Sequence, residues 1–234
     1  YFLITVACIV SLKLAGMDWF DAVCHAFATM ALGGFSTYDA SVGHFDSVPI
    51  EIVLIVFMLI SAMNFSRHFI AWQHKSLRTY ATDAEAKAML AIIGLSTVGL
   101  ALFIWFHGTY DSFWTSLRHV AFNLVSIATD CGFVSQDYAV WPVLAPMWIL
   151  MLSCYCANTG STGGGIKMFR TLVLFRQAGR ELMLLVHPQA IRPVKISGQV
   201  VQNQIVFAVL AFVVLYFGTV VVLTFALLAS GLDF

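Results

Sequence analysis

Five apolar runs, at 1–15, 50–63, 88–106, 143–157 and 205–229, leave this chain little choice but to fold in a lipid bilayer. Several approach the roughly 20 residues that a helix needs to cross the hydrocarbon core. They are apolar on every side, so a soluble fold would have to bury five helices with almost no polar face. Charged residues make up 10% of the chain and hydrophobic residues 60%, whereas a soluble domain is about a quarter charged. The reading is an all-α polytopic membrane protein.

The formal net charge is zero, so nothing draws the chain to nucleic acid; its expected surroundings are the bilayer. Charge distribution says more. Ten of the 12 Lys and Arg are Arg67, Lys75, Arg78 and Lys87, then Lys167, Arg170, Arg176, Arg180, Arg192 and Lys195. The acids mostly lie elsewhere: Asp18, Asp21, Asp39, Asp46, Glu51, Asp111, Asp130, Asp137 and Asp233. Positive loops stay in the cytoplasm. That puts 67–87 and 167–195 inside, puts 16–50, 107–141 and 231–234 outside, and makes the five crossings alternate. Cys8, Cys24, Cys131, Cys154 and Cys156 form no CxxC pair or metal set and read as small apolar fillers. The chain begins at Tyr1 within an apolar run and reads as a portion of a longer protein.

The sequence also repeats itself, with a period of 98–100 residues. Gly34-Phe35-Ser36-Thr37-Tyr38-Asp39 matches Gly132-Phe133-Val134-Ser135-Gln136-Asp137 as Gly-Phe-x-Ser/Thr-x-Asp. A helical stretch with His25 or His119 precedes each loop, and a Pro-led apolar span follows, from Pro49 or Pro142. Each unit reads as outer helix, half-helix, Gly loop and inner helix: 1–15, 18–30, 31–39 and 49–71, then 88–107, 111–127, 128–137 and 141–185. The domain division is a pore unit at 1–71, a cytoplasmic linker at 72–87, a pore unit at 88–185, a basic linker at 186–199 and a third outer helix within 200–234. The half-helices are too short and polar to span, and both ends lie outside, so they are re-entrant. Irregular backbone at that depth survives only where protein or water surrounds it. Two such loops predict an aqueous path.

A cation on that path must exchange water for other oxygens, which backbone carbonyls can supply. Leu32-Gly33-Gly34-Phe35 and Asp130-Cys131-Gly132-Phe133 are the candidate stretches, since Gly tolerates the required backbone. Each follows the negative C-terminal end of a half-helix. Below the second, Asn158-Thr159-Gly160-Ser161-Thr162-Gly163-Gly164-Gly165-Ile166-Lys167 interrupts the inner helix. Its readings are an obstruction of the pore, a simple hinge, or a phosphate loop; the last lacks the Gly-Lys-Ser/Thr that a Walker motif needs.

The two Gly loops, their half-helices and the Asn158–Lys167 break together resemble the TrkH/KtrB superfamily, over essentially the whole chain. The resemblance implies a potassium-channel-like fold of repeated outer helix, re-entrant pore helix, filter loop and inner helix. It implies four such units around one pore, of which this chain carries the second, the third and the outer helix of the fourth. Potassium would bind the carbonyls of Leu32, Gly33, Gly34, Phe35, Asp130, Cys131, Gly132 and Phe133, with Gly34 and Gly132 as key glycines. Asn158, Thr159, Gly160, Ser161, Thr162, Gly163, Gly164, Gly165 and Lys167 would form the gate. Implied partners are a second copy of the full-length protein and a ring of TrkA-like nucleotide-binding regulatory subunits. Leu32 and Asp130 depart from the family's usual Thr, leaving Asp130 either a source of negative field near the outer mouth or a group bonded behind the filter.

Four weaker readings complete the set. His25 and His119 bond behind their loops. Asn64 bonds the gate, lines the cavity or packs between helices, and Arg118 pairs with Asp111 or Asp137. Trp19, Trp105, Trp114, Trp141 and Trp148 are ordinary interface aromatics. A sodium/potassium or proton-coupled secondary transporter is the alternative, although such carriers often use inverted repeats and these units run parallel. An enzyme reading lacks HExxH, GxSxG or a close Asp pair, and no cofactor motif is present.

Overall fold

The computed structural model describes residues 1–76, 78–190 and 193–231. Arg192 and Asp233 of the charge pattern therefore lie outside the described residues, as does the end of the 200–234 segment. The chain divides into two compact units, 1–168 and 169–234.

In the first unit, α1 (Phe2–Leu14) leads to α2 (Trp19–Ala31), the first half-helix. After the loop, α3 (Val48–Ala62) begins with Pro in its first turn, where the missing N–H is harmless. It is followed by α4 (Phe65–His74) and the short α5 (Arg78–Ala81). Then come α6 (Ala84–Phe106), the second half-helix α7 (Phe113–Ala128) and α8 (Leu144–Ser153). Side-chain caps start three of them: Asn64 accepts from Ser66 N at 2.8 Å, Asp83 from Glu85 N at 3.1 Å, and Ser112 from Trp114 N at 3.3 Å. A 3₁₀ turn follows each Gly loop, at Ser41–His44 and Tyr138–Val140. The repeated order of outer helix, half-helix, loop and inner helix is thus present twice.

Two expectations change. The inner helix read at 49–71 is two helices, α3 and α4, bent by 97°. Met63 is extended there and Asn64 caps the new helix. The 72–87 linker is partly helical, since α5 lies inside it and α6 begins at Ala84. Among the described residues, α6 with 23 residues and α10 (Asn203–Ala229) with 27 are long and apolar enough to cross a membrane unaided. The bent α3–α4 pair makes a third candidate. Helices α1 and α8, with 13 and 10 residues, reach only about 20 and 15 Å at 1.5 Å per residue.

The second unit contains most of α9 (Met168–Val186), a hairpin of β1 (Lys195–Ile196) and β2 (Gln199–Val200), and α10. Lys195 pairs with Val200 and Ile196 with Gln199. Ser197 and Gly198 form the turn at φ +49° and +81°, the two-residue geometry that matches strand twist. Val173, Val194, Val206 and Val209 make its core.

Candidate functional site

The two half-helices end in the same way. At the first, Leu32 N–H bonds Thr29 O at 3.2 Å and Gly33 N–H bonds Ala28 O at 2.8 Å. At the second, Asp130 N–H bonds Ile127 O at 3.0 Å and Cys131 N–H bonds Ser126 O at 2.8 Å. Both are Schellman caps, which need a left-handed residue. Leu32 and Asp130 fill that place at φ +52° and +64°, and two residues later Gly34 and Gly132 are left-handed again at +63° and +93°. Leu32 stands where a β-carbon is penalised by about 1–2 kcal/mol.

The loops meet. A Cβ on Gly34 would overlap the Cys131 carbonyl oxygen and lie 2.9 Å from the Gly132 carbonyl carbon. Beyond them, Gly43 N–H donates to Val134 O at 3.0 Å and Val134 N–H to Ser41 Oγ at 3.2 Å. Phe133 is fully buried, its ring stacked 5.6 Å from His25. Phe35, its counterpart, is 80% exposed.

Each half-helix braces its own loop. His25 bonds Asp21 O at 2.8 Å through Nδ1 and Ser36 Oγ at 2.9 Å through Nε2. Asp21 accepts from Thr37 Oγ1 at 2.7 Å and from Tyr38 OH at 3.1 Å. In the second repeat Asn123 takes this place, accepting from Ser135 N at 3.1 Å and reaching Gln136 O at 3.4 Å. The counterpart of His25 is therefore Asn123 and not His119. Counting back from the shared Gly puts His119 opposite Asp21. His119 stacks on Tyr110 at 5.3 Å, and its buried Nδ1 has no hydrogen-bond partner.

Arg118 pairs with neither Asp111 nor Asp137. Its Nε and one terminal nitrogen grip Glu51 at 2.9 and 2.8 Å, and it reaches Asp46 at 2.8 Å. Glu51 is 2% exposed, so this fork ties α7 to the start of α3.

The 158–167 segment lies against the inner ends of both loops. An ideal Cβ on Gly163 would sit 2.9 Å from Thr129 O and 3.4 Å from Leu32 Cδ1. Thr162 Oγ1 donates to Met30 O at 3.1 Å. Asn158 N–H bonds Ala62 O at 3.0 Å, Thr162 N–H bonds Ser61 O at 3.4 Å, and Phe65 N–H bonds Gly160 O at 3.2 Å. These bonds occupy backbone groups freed where α3 breaks, which is what such a break requires. Asn64 caps α4, and its side chain packs against Gly160. Thr159 N–H donates to Glu85 Oε2 at 2.8 Å, Ser161 Oγ bonds Asn158 O at 2.6 Å, and Lys167 Nζ bonds Gly163 O. Gly165 packs against Cys154 O, whose oxygen accepts Ile166 N–H at 2.8 Å. The Asn158 side chain is fully buried with neither amide atom bonded. Asp130 is not at the outer mouth. Its buried Oδ2 has no hydrogen-bond partner and lies 3.4 Å from where a Cβ on Gly164 would sit, so it faces the 158–167 segment.

Two re-entrant half-helices with left-handed loops, meeting above a broken inner helix, define a polytopic membrane protein built on pore-loop repeats. The family model for TrkH, described as a cation transport protein, matches residues 1–233, and the chain belongs to that family. It is 41% identical to the Trk system potassium uptake protein TrkH of Salmonella typhimurium, over 100% of this chain and 48% of that protein. Identity to the Escherichia coli potassium uptake protein TrkG is 37% over the same shares. The crystal structure of the potassium transporter TrkH from Vibrio parahaemolyticus superposes with a TM-score of 0.96 at 40% identity, covering 100% of this chain and 50% of that one. The chain spans about half the length of the curated relatives it matches. It is a multi-pass membrane protein.

Proposed function

We propose that the protein takes up potassium across the bacterial inner membrane, through a pore whose filter is lined by backbone carbonyls of 32–35 and 130–133. The observation that carries this reading is the meeting of two equivalent left-handed loops, with Gly34 backed directly on the Cys131 carbonyl. In an extended strand successive carbonyls alternate sides. A left-handed residue at every second position turns them to a common side, as an ion losing its water shell needs. Both half-helices aim their negative ends at the loops.

The 158–167 segment is the gate in this reading. It is held by hydrogen bonds to Met30, Ala62 and Ser61. The relatives are named for uptake, and the proposed role is transport rather than catalysis, with potassium as substrate. The working assembly is proposed to be a homodimer of the full-length protein, docked on its cytoplasmic face to a TrkA-like nucleotide-binding subunit.

Rubidium uptake into liposomes by the full-length protein, with and without excess sodium, tests the filter beside Gly132→Asp. Uptake that survives sodium and collapses or loses selectivity in the variant is expected. No uptake at all, or uptake untouched by Gly132→Asp, would put the ion path elsewhere.

A further inference from the structure

Helix α9 carries Arg176 and Arg180 four residues apart, the spacing that puts two side chains on one face. The hairpin brings Lys195 to the same place. These three cations, with Gly179 and Pro193, line a cavity of about 360 Å³. The Arg180 side chain is 20% exposed, and one terminal nitrogen lies 3.7 Å from Glu181. The other donates to Asn203 Oδ1 at 3.1 Å. Its buried Nε–H has no hydrogen-bond partner. Glu181 is the one acid described in this unit, and it also accepts from Gln177 at 2.6 Å. Arg176 and Lys195 make no ion pair among the described residues.

Three cations around one small cavity repel one another, and a buried N–H without a partner is costly. An anion with several acceptor oxygens relieves both, and a guanidinium fork fits phosphate oxygens especially well. The charge pattern puts this stretch on the cytoplasmic side, within reach of anionic headgroups. We infer that Arg176, Arg180 and Lys195 form a binding site for a phosphate group, carried by an anionic phospholipid headgroup or by a free phosphate compound. The site is separate from the ion loops and does not depend on their assignment.

The test uses the full-length protein in detergent with two probes. Native mass spectrometry counts bound phosphatidylglycerol, and calorimetric titration reads inorganic phosphate. R176Q/K195Q removes two charges at the rim, and its fold is checked by an unchanged melting temperature in lipid-free detergent. R180K keeps the charge but loses the fork and the buried Nε–H, so it serves if the double variant misfolds. Wild-type binding that falls about tenfold in either variant, as loss of charge-assisted bonds implies, supports the site. Loss confined to phosphatidylglycerol identifies a headgroup, and displacement of lipid by inorganic phosphate identifies a free anion. Binding of neither probe by the wild type, or equal binding by both variants, overturns the proposal.

Discussion

Gly34 and Gly132 occupy matching places in the repeat but face different neighbours. A Cβ on Gly34 would collide with the backbone of 131–132, and no side chain can swing away to admit it. Around Gly132 nothing lies within 4 Å of that position. Both are left-handed, at φ +63° and +93°, so each Ala carries the conformational penalty of about 1–2 kcal/mol, but only Gly34→Ala must also push two backbones apart. Gly34→Ala is expected to abolish uptake and lower the melting temperature by more than the roughly 2–4 °C that 1 kcal/mol costs a chain of this size. Gly132→Ala should fold nearly normally and lose mainly ion selectivity. Melting curves beside rubidium and sodium uptake for both variants check this, and equal melting temperatures would mean that the loops do not touch in the membrane.

At the scale of elements, the Arg118–Glu51 fork ties the pore helix of the second repeat, α7, to the inner helix of the first, α3. Both partners are largely withdrawn from water, with side-chain exposures of 26% and 3%; the bond to Asp46, which is 78% exposed, is worth little. Arg118→Met leaves a buried carboxylate unpaired and should cost roughly 3–5 kcal/mol. Adding Glu51→Gln removes the stranded charge and should restore most of that loss. Additive penalties in this double-mutant cycle, read by thermal unfolding, would refute the coupling. Sequence reading missed this pair because its members are 67 residues apart and carry no local signal. It found the half-helices and loops because Gly-Phe-x-Ser/Thr-x-Asp is a local pattern printed twice. It missed the α3–α4 break because 49–71 contains no Gly and no Pro after Pro49; the carbonyls freed there are satisfied by residues near 160. Asn64, two residues before Ser66, was the capping signal that could have revealed it. Matching His25 to His119 followed residue identity, where counting from the glycines leads to Asn123.

On the scale of the whole molecule, the repeat supplies a rule for how neighbouring units join. Phe133 of the second loop is fully buried and stacks on His25 of the first half-helix, which also meets Phe45 edge-on at 5.4 Å. Phe35 occupies the same place in the first loop, 98 residues earlier, yet it is 80% exposed. If units join by a common rule, Phe35 packs against the half-helix of a unit preceding it, at the position that His25 holds here. The chain spans half the length of its relatives, which leaves room for such a unit. In the full-length protein, Phe35→Ala should then cost about as much as Phe133→Ala, roughly 3–5 kcal/mol for a buried aromatic. If Phe35 instead faces an open vestibule, its replacement should change stability by no more than about 0.5 kcal/mol. Thermal unfolding of the two variants in the same detergent separates these outcomes. Equal losses mean that the ring closes over the first loop as it does over the second, and a silent Phe35→Ala means that the repeat rule stops at this edge.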